Sequence, residues 1–327
     1  MIVSRTSIPK SRPRRWAGFL ALGALFALTL SACGGTTSAG GGHQVNSGGT
    51  PTSTVTCPDS SGWHLVTSGT LTDATDTTYP PAESADPNNP SNYVGYDMDL
   101  IKEIARRMCL KPVIIKDSFG SLITGVTNGA LGSQKYDVSI SSFTITTDRQ
   151  KVVDMIPYFQ AGESVLVPKG NPGNIKQFTD LCGKTVAVQN NTTEQADVDA
   201  ANGVNNQAED TVDNPFWQVC SKINKPIKEL HFDDETVVIQ QVLNGAADAT
   251  YQDQPVTSYY VSLNSSKVDT GAITVSPSPE GIVVRKDNKP LEDAITAALN
   301  GMRADGTYLK ILTAWGQQSL AYPPLNG

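Results

Sequence analysis

From about residue 60 onward, short runs that read as strands alternate with longer stretches whose apolar residues recur at helical spacing. Residues 63–70, 113–115, 183–189 and 247–251 are short runs bounded by turn formers, which predicts strands. In residues 137–141, Val138 and Ile140 alternate with small polar neighbours, so a buried strand there would deliver Ser142 and Thr144 into a loop. Leu100, Ile101, Ile104, Ala105 and Met108 fall on one helical stripe that Asp97 is placed to cap, with Lys102, Glu103, Arg106 and Arg107 on the solvent side. Residues 235–243, stopped by Gly245, and then 291–302 and 306–315 predict further helices. An alternation this regular points to open α/β sheets.

Candidate chemistry follows the strand at 137–141. Thr147 and Gln150 have capping-box spacing, so a short helix starting there would point free N–H groups back toward the strand end. Arg149 sits in its first turn. A guanidinium fork beside hydroxyls suits a carboxylate, although a surface turn with one solvated arginine has the same spacing.

Composition changes this picture mainly at the N-terminus. The 327 residues are 39% apolar, enough for two lobes of ordinary size. Residues 17–30 form a short apolar run after a basic segment, the pattern of a signal peptide. Leu30-Ser31-Ala32-Cys33 resembles the bacterial lipobox, which implies cleavage before Cys33 and lipid on its sulfur. Residues 34–56 are mostly Gly, Ser, Thr and Asn, a flexible tether with little to bury. Five of the 25 basic residues precede Cys33, so the remainder carries 20 against 32 acidic residues, a net charge of −12. Such an acidic surface disfavours nucleic acid as a partner. Cys57, Cys109, Cys182 and Cys220 form an even set in an exported chain, with three possible disulfide pairings. No Cys-x-x-Cys pair or close histidine spacing accompanies them, so neither a metal nor a cofactor is expected.

The order of the motifs carries a family resemblance. Asp76-Thr-Thr-Tyr79-Pro-Pro, Gly95-Tyr-Asp-Met-Asp-Leu100, residues 141–159, Gly183-Lys-Thr-Val-Ala-Val-Gln189, Ala247-Asp-Ala-Thr-Tyr-Gln-Asp253, Gly281-Ile-Val-Val-Arg-Lys286 and residues 302–315 follow one another along the chain. Over nearly all of residues 60–320 the chain thereby resembles family 3 of the periplasmic solute-binding proteins, which bind amino acids for ABC importers. The resemblance implies an α/β, two-lobed periplasmic-binding-protein-like fold of type II, with two open sheets and a two-crossing hinge. Residues 57–161 with 280–327 would form lobe one and 162–279 lobe two, behind a 1–32 signal peptide and a 33–56 tether. Pairing within lobes, Cys57 with Cys109 and Cys182 with Cys220, is then preferred.

By the same resemblance, Arg149, Ser142, Thr144 and the helix start at Thr193 would hold an α-carboxylate and part of the ammonium. Asp253 would hold the ammonium, and Tyr79 and Phe119 would sandwich the aliphatic stem. Asp76, with Gln189 and Gln252 nearby, would favour glutamine, histidine, arginine or lysine over leucine or glutamate. Three departures stand out: Ala82 replaces a second aromatic, Asn191 replaces a glycine, and residues 85–92 read as a polar insertion. The implied protein is a monomeric, non-enzymatic receptor, lipid-anchored through Cys33 on the outer face of the cytoplasmic membrane and partnered by an ABC permease. A cyclohexadienyl dehydratase-like enzyme and a sensory ligand-binding module are the alternatives on this fold.

Overall fold

A computed structural model describes residues 57–205, 214–273 and 276–323. The signal peptide, Cys33 and the tether lie outside the described residues.

The first strand, β1 (Thr70–Thr75), starts where the expected strand at 63–70 ends. Residues 67–70 instead make a turn, closed by Thr70 N–H on the Thr67 carbonyl, and Trp63 packs into the core without being in a strand. Next come β2 (Thr78–Tyr79), β3 (Glu83–Asp86) and β4 (Asn89–Val94), an antiparallel ribbon into which most of the supposed insertion folds. Helix α1 (Tyr96–Arg107) buries Leu100, Ile101, Ile104 and Ala105 on the expected stripe. Its N-cap is Gly95, not Asp97. A Cβ on Gly95 would lie 1.8 Å from the Ala82 carbonyl oxygen, and its φ of 141° also favours glycine. Asp97 lies in the first turn, fully buried, with partners elsewhere.

Strand β5 (Lys111–Lys116) precedes α2 (Phe119–Thr127), the short β6 (Val138–Ser139), α3 (Thr147–Val152) and β7 (Val153–Ala161). After Gly162 the chain builds β8 (Glu163–Pro168), β9 (Thr185–Gln189), α4 (Thr193–Asn202), β10 (Lys228–Phe232), α5 (Glu235–Leu243), β11 (Ala249–Asp253), α6 (Gln254–Leu263) and β12 (Val268–Ile273). It returns through β13 (Ser278–Arg285) and ends in α7 (Lys289–Ala304) and α8 (Thr307–Ala314).

The strands form two five-stranded sheets, ordered β5-β1-β6-β13-β7 and β10-β9-β11-β8-β12. In each, parallel strands occupy one side and antiparallel strands the other. Apolar residues of α1, α7 and α8 cover one face of the first sheet, and Leu122 and Val126 of α2 pack with Tyr136 and Phe143 on the other. The second sheet likewise has two apolar clusters, one around Val186, Val188 and Val198 and one around Ala187, Val238 and Ile239. Two disulfides, Cys57–Cys109 and Cys182–Cys220, brace the two lobes separately. The chain passes between sheets through Gly162 and again between β12 and β13. Ala161 pairs with Ser278 where the two passages meet the first sheet.

Candidate functional site

The carboxyl ends of β1, β6, β9 and β11 point at one another across the two lobes, as is usual for ligand clefts in open α/β sheets. Between them lies a narrow cavity. Asp76, Tyr79, Phe119, Ser142, Thr144, Arg149, Thr193 and Asp253 all line it. So do Glu83, Ser141, Gln189, Thr192 and Glu194.

The loop after β6 is held in a demanding shape. Ser142 has φ 48°, a left-handed conformation that an L-residue adopts only when its surroundings enforce it. Asp97 Oδ2 supplies that enforcement, accepting from Ser142 N–H at 3.1 Å and from the Tyr158 hydroxyl at 2.7 Å. On the far side, Gly281 N–H donates to the Phe143 carbonyl and Ile145 N–H to the Pro279 carbonyl, both at 2.8 Å. Thr146, one residue before the position inferred from capping-box spacing, caps α3 by accepting from Arg149 N–H at 3.1 Å. Arg149 is thereby turned inward. Its guanidinium lies over the Phe119 and Phe143 rings, 5.6 and 5.4 Å from their centroids, and donates to the Thr144 carbonyl at 2.8 Å.

On the second lobe, Asn191 takes the left-handed turn with φ 65°, and Thr192 caps α4 by accepting from Gln195 N–H at 3.1 Å. Thr193 therefore opens α4 toward the cavity. Its hydroxyl lies 3.5 Å from that of Thr144 on the opposite lobe. Other bonds cross the cleft as well. Arg149 donates to the Asn191 carbonyl at 3.3 Å, Glu235 N–H to Thr78 Oγ1 at 3.0 Å, and Gln189 Nε2 to Asp76 Oδ2. Tyr79 and Asp253 are joined by two further bonds. The lobes are thus closed on each other.

Electrostatics set the character of the cavity. Its lining holds one guanidinium and four carboxyls, Asp76, Glu83, Glu194 and Asp253. Burial raises the carboxyls above the usual range: Asp76 to about 6, Asp253 to about 7 and Glu194 to about 8, the last helped by the charge of Asp253. Glu83 is also raised well above the usual carboxyl range, first by burial and then by Asp97. The Ser142 hydroxyl interacts with Tyr96 and Glu280 and the Glu83 carboxyl with Asp97, but Glu194 Oε1 is buried in this lining without a hydrogen-bond partner among the described residues. Such an atom destabilises a closed cavity unless a solute satisfies it. By contrast, the Ser141 hydroxyl is saturated, donating to Glu83 Oε1 at 2.7 Å and accepting from Asp76 N–H at 3.0 Å.

Glu83, Ser141, Thr192 and Glu194 were not singled out by sequence reasoning. Ser141 and Thr192 directly precede residues that were, and Glu83 pairs with Tyr79 across the β2–β3 ribbon. Gln252, expected near the ligand's distal group, is absent from the lining and donates to Thr257 Oγ1 instead. No group of three or more metal-ligating side chains occurs among the described residues.

Two open α/β lobes closing on a polar cavity are the periplasmic-binding-protein-like architecture. The chain belongs to the bacterial extracellular solute-binding proteins, family 3, which it matches over residues 71–318. It is 30% identical over 249 residues to ABC transporter arginine-binding protein 1 of Escherichia coli strain K12, covering 74% of this chain and 88% of that protein. Among solved structures it resembles an ancestral arginine-binding protein bound to arginine, with 35% identity, TM-score 0.63, and 76% and 98% of the two chains covered. It also resembles an ancestral amino acid-binding protein that is a precursor of cyclohexadienyl dehydratase, with 31% identity, TM-score 0.61, and 76% and 95% covered.

Proposed function

We propose that the chain is an extracytoplasmic receptor for a polar L-amino acid, with a basic amino acid ranked first, and that it hands this ligand to an ABC importer. The observation that carries the reading is the charge inventory of the cavity: Arg149 stands against four carboxyls in a closed polar space. A zwitterion needs one partner of each sign. Asp76, ionised above about pH 6, is an acid beyond the ammonium partner Asp253 and fits a second positive charge, so arginine and lysine rank above histidine and glutamine. The arginine-binding relative and the arginine-bound structure support this order.

In this reading Arg149, Thr144, Ser142 and the start of α4 take the α-carboxylate, and Asp253 takes the ammonium. Tyr79 and Phe119 flank the stem, and Asp76 meets the distal group. Residues 57–161 with 280–327 act as one lobe and 162–279 as the other, hinged so that ligand contacts to both favour closure. Cys33 carries the lipid that keeps the receptor at the membrane, and Cys33→Ser would then leave soluble or uncleaved protein.

Calorimetry with L-arginine, L-lysine, L-histidine, L-glutamine, L-leucine and L-glutamate tests the reading. Tighter binding of leucine or glutamate than of the other four would overturn it. A raised-pKa carboxyl such as Glu194 is also what a dehydratase would use as a proton donor. Turnover of prephenate or arogenate by the purified protein would therefore replace the receptor by the enzyme.

A further inference from the structure

Glu194 is the second residue of α4, buried with 4% exposure, and part of the cavity lining. Its Oε2 accepts from the Thr193 hydroxyl at 3.3 Å, while its Oε1 has no hydrogen-bond partner among the described residues. The charged and titratable groups that act on it come from every packed element. Asp197 is on α4 itself, Asp253 ends β11, Arg149 is on α3, Glu163 on β8, Glu235 on α5, Glu280 on β13 and Tyr79 on β2. Arg149 is the cation among them. It already answers to the carboxylate end of the site.

Asp253 is fixed differently. Its Oδ2 accepts from the Tyr79 hydroxyl and its N–H donates to the same oxygen, so this carboxyl cannot turn away from the cavity without breaking the lobe contact. Two buried acids thus line one narrow space, and two like charges there cannot both ionise cheaply. We propose that Glu194 belongs to the ammonium pole of the site, and that it and Asp253 hold one proton between them until an amino acid's α-ammonium displaces it. Capture then releases a proton. This rests on the reading of the cleft as an amino-acid site and adds to it a residue and a linkage.

The balance is simple. The O–H bond of the shared carboxyl breaks, its proton passes to a buffer base, and ammonium N–H groups donate to Glu194 Oε1 and to Asp253. One positive charge leaves as the proton and one arrives as the α-ammonium, so the charge at the ammonium pole is unchanged. Glu194, raised to about 8, and Asp253, raised to about 7, put the exchange in the neutral range. The sign follows from linkage: the complex holds fewer protons than the free receptor, so affinity rises with pH until the free site is itself deprotonated.

The experiment is calorimetric titration of the mature chain with L-arginine, L-lysine and L-glutamine between pH 6 and 8.5, each in phosphate and in Tris. Because these buffers differ in ionisation enthalpy, the difference between their apparent binding heats counts protons. The expected result is close to one proton released per ligand near pH 7.5, between the values of Asp253 and Glu194, falling toward none above the pKa of Glu194, with Kd tightening by up to about tenfold per pH unit below it. Glu194→Gln should lose most of the release at pH 7.5 and bind at least fivefold more weakly than wild type at pH 8.5. The two curves should converge toward pH 6. Wild-type binding with equal heats in both buffers at every pH overturns the proposal and leaves the receptor reading standing. A variant that keeps the wild-type proton count overturns it equally. Failure of all three amino acids to bind at any pH removes both.

Discussion

The Tyr79 hydroxyl donates to Asp253 Oδ2 at 2.9 Å and accepts from Asp253 N–H at 3.0 Å, so a single phenol makes two bonds across the cleft. Both residues are buried. Tyr79→Phe leaves the two Asp253 groups unpaired only when the lobes are closed, since opening would hydrate them. A hydrogen bond to a charged group contributes about 1.5–3 kcal/mol, which predicts ligand binding roughly 10- to 100-fold weaker. Calorimetry should show that loss with little change in the unfolding temperature of the ligand-free chain. A Kd within threefold of wild type would contradict it.

Arg149 and Asp253 stand at the two charged ends proposed for the ligand. Removing either leaves a buried ligand charge unpaired, at a cost of about 3–5 kcal/mol by analogy with broken buried pairs. Arg149→Ala and Asp253→Ala should each weaken binding at least a hundredfold, roughly 2.7 kcal/mol. Equilibrium dialysis with labelled ligand is sufficient, and near-native binding by either variant would remove the proposed site.

Asp76 accepts from Gln189 Nε2 across the cleft and is raised to about 6, chiefly by burial. If it meets the ligand's distal group, Asp76→Asn should weaken cationic ligands selectively and change their rank relative to glutamine. A uniform loss across the panel would instead mark Asp76 as part of the closing contact only.

Stability should depend on pH in an unusual direction. Burial raises Asp97 to about 7 and pushes Asp73, Glu83 and Glu280 well above the ordinary carboxyl range. A carboxyl whose folded pKa exceeds its unfolded one means that the native state holds more protons. That stabilisation is complete below the unfolded value near 4 and fades as pH climbs to the folded value. Groups shifted the other way, such as Asp305 at about 2, are ionised in both states above pH 5 and do not oppose the trend. Scanning calorimetry of the ligand-free chain should give a higher unfolding temperature at pH 5 than at pH 8, with Asp97→Asn flattening the difference. The reverse order would contradict the protonated cluster.

The Cys182–Cys220 bridge spans 38 residues and the Cys57–Cys109 bridge 52. Loops of that length predict about 2–4 kcal/mol of stabilisation from each bridge. Paired Cys→Ser variants, one bridge at a time, should lower the denaturation midpoint accordingly while leaving the cleft able to close. An unchanged midpoint would mean that the bridges do not constrain the unfolded chain.

The motif order located strand ends well because hydrophobic runs bounded by turn residues are local patterns, and strand ends are where Asp76, Ser142, Gln189 and Asp253 fall. Buried acids were harder to see. Glu83 and Glu194 look in sequence like ordinary solvated carboxylates, and only long-range packing of the folded chain takes them out of water. Asp97 was misread for a related reason. Asp ahead of an apolar stripe is a good cap, but Gly95 allows the chain to pass so close to Ala82 that the helix begins earlier and Asp97 turns toward the Ser142 loop. The first strand was misplaced because 63–70 and 70–75 have similar β character, and the choice between them rests on pairing with β5.

Ala161 and Ser278 are paired neighbours in the first sheet, so the chain departs from that sheet and rejoins it at points about 5 Å apart. Topologically, everything between them is one long excursion from the tip of a β-hairpin. A short turn in its place would leave β7 and β13 their mutual register. A half-cleft attached in this way is a natural cassette for recombination: a lineage could keep one lobe, graft a different partner onto the same hairpin, and acquire new ligand chemistry in a single event.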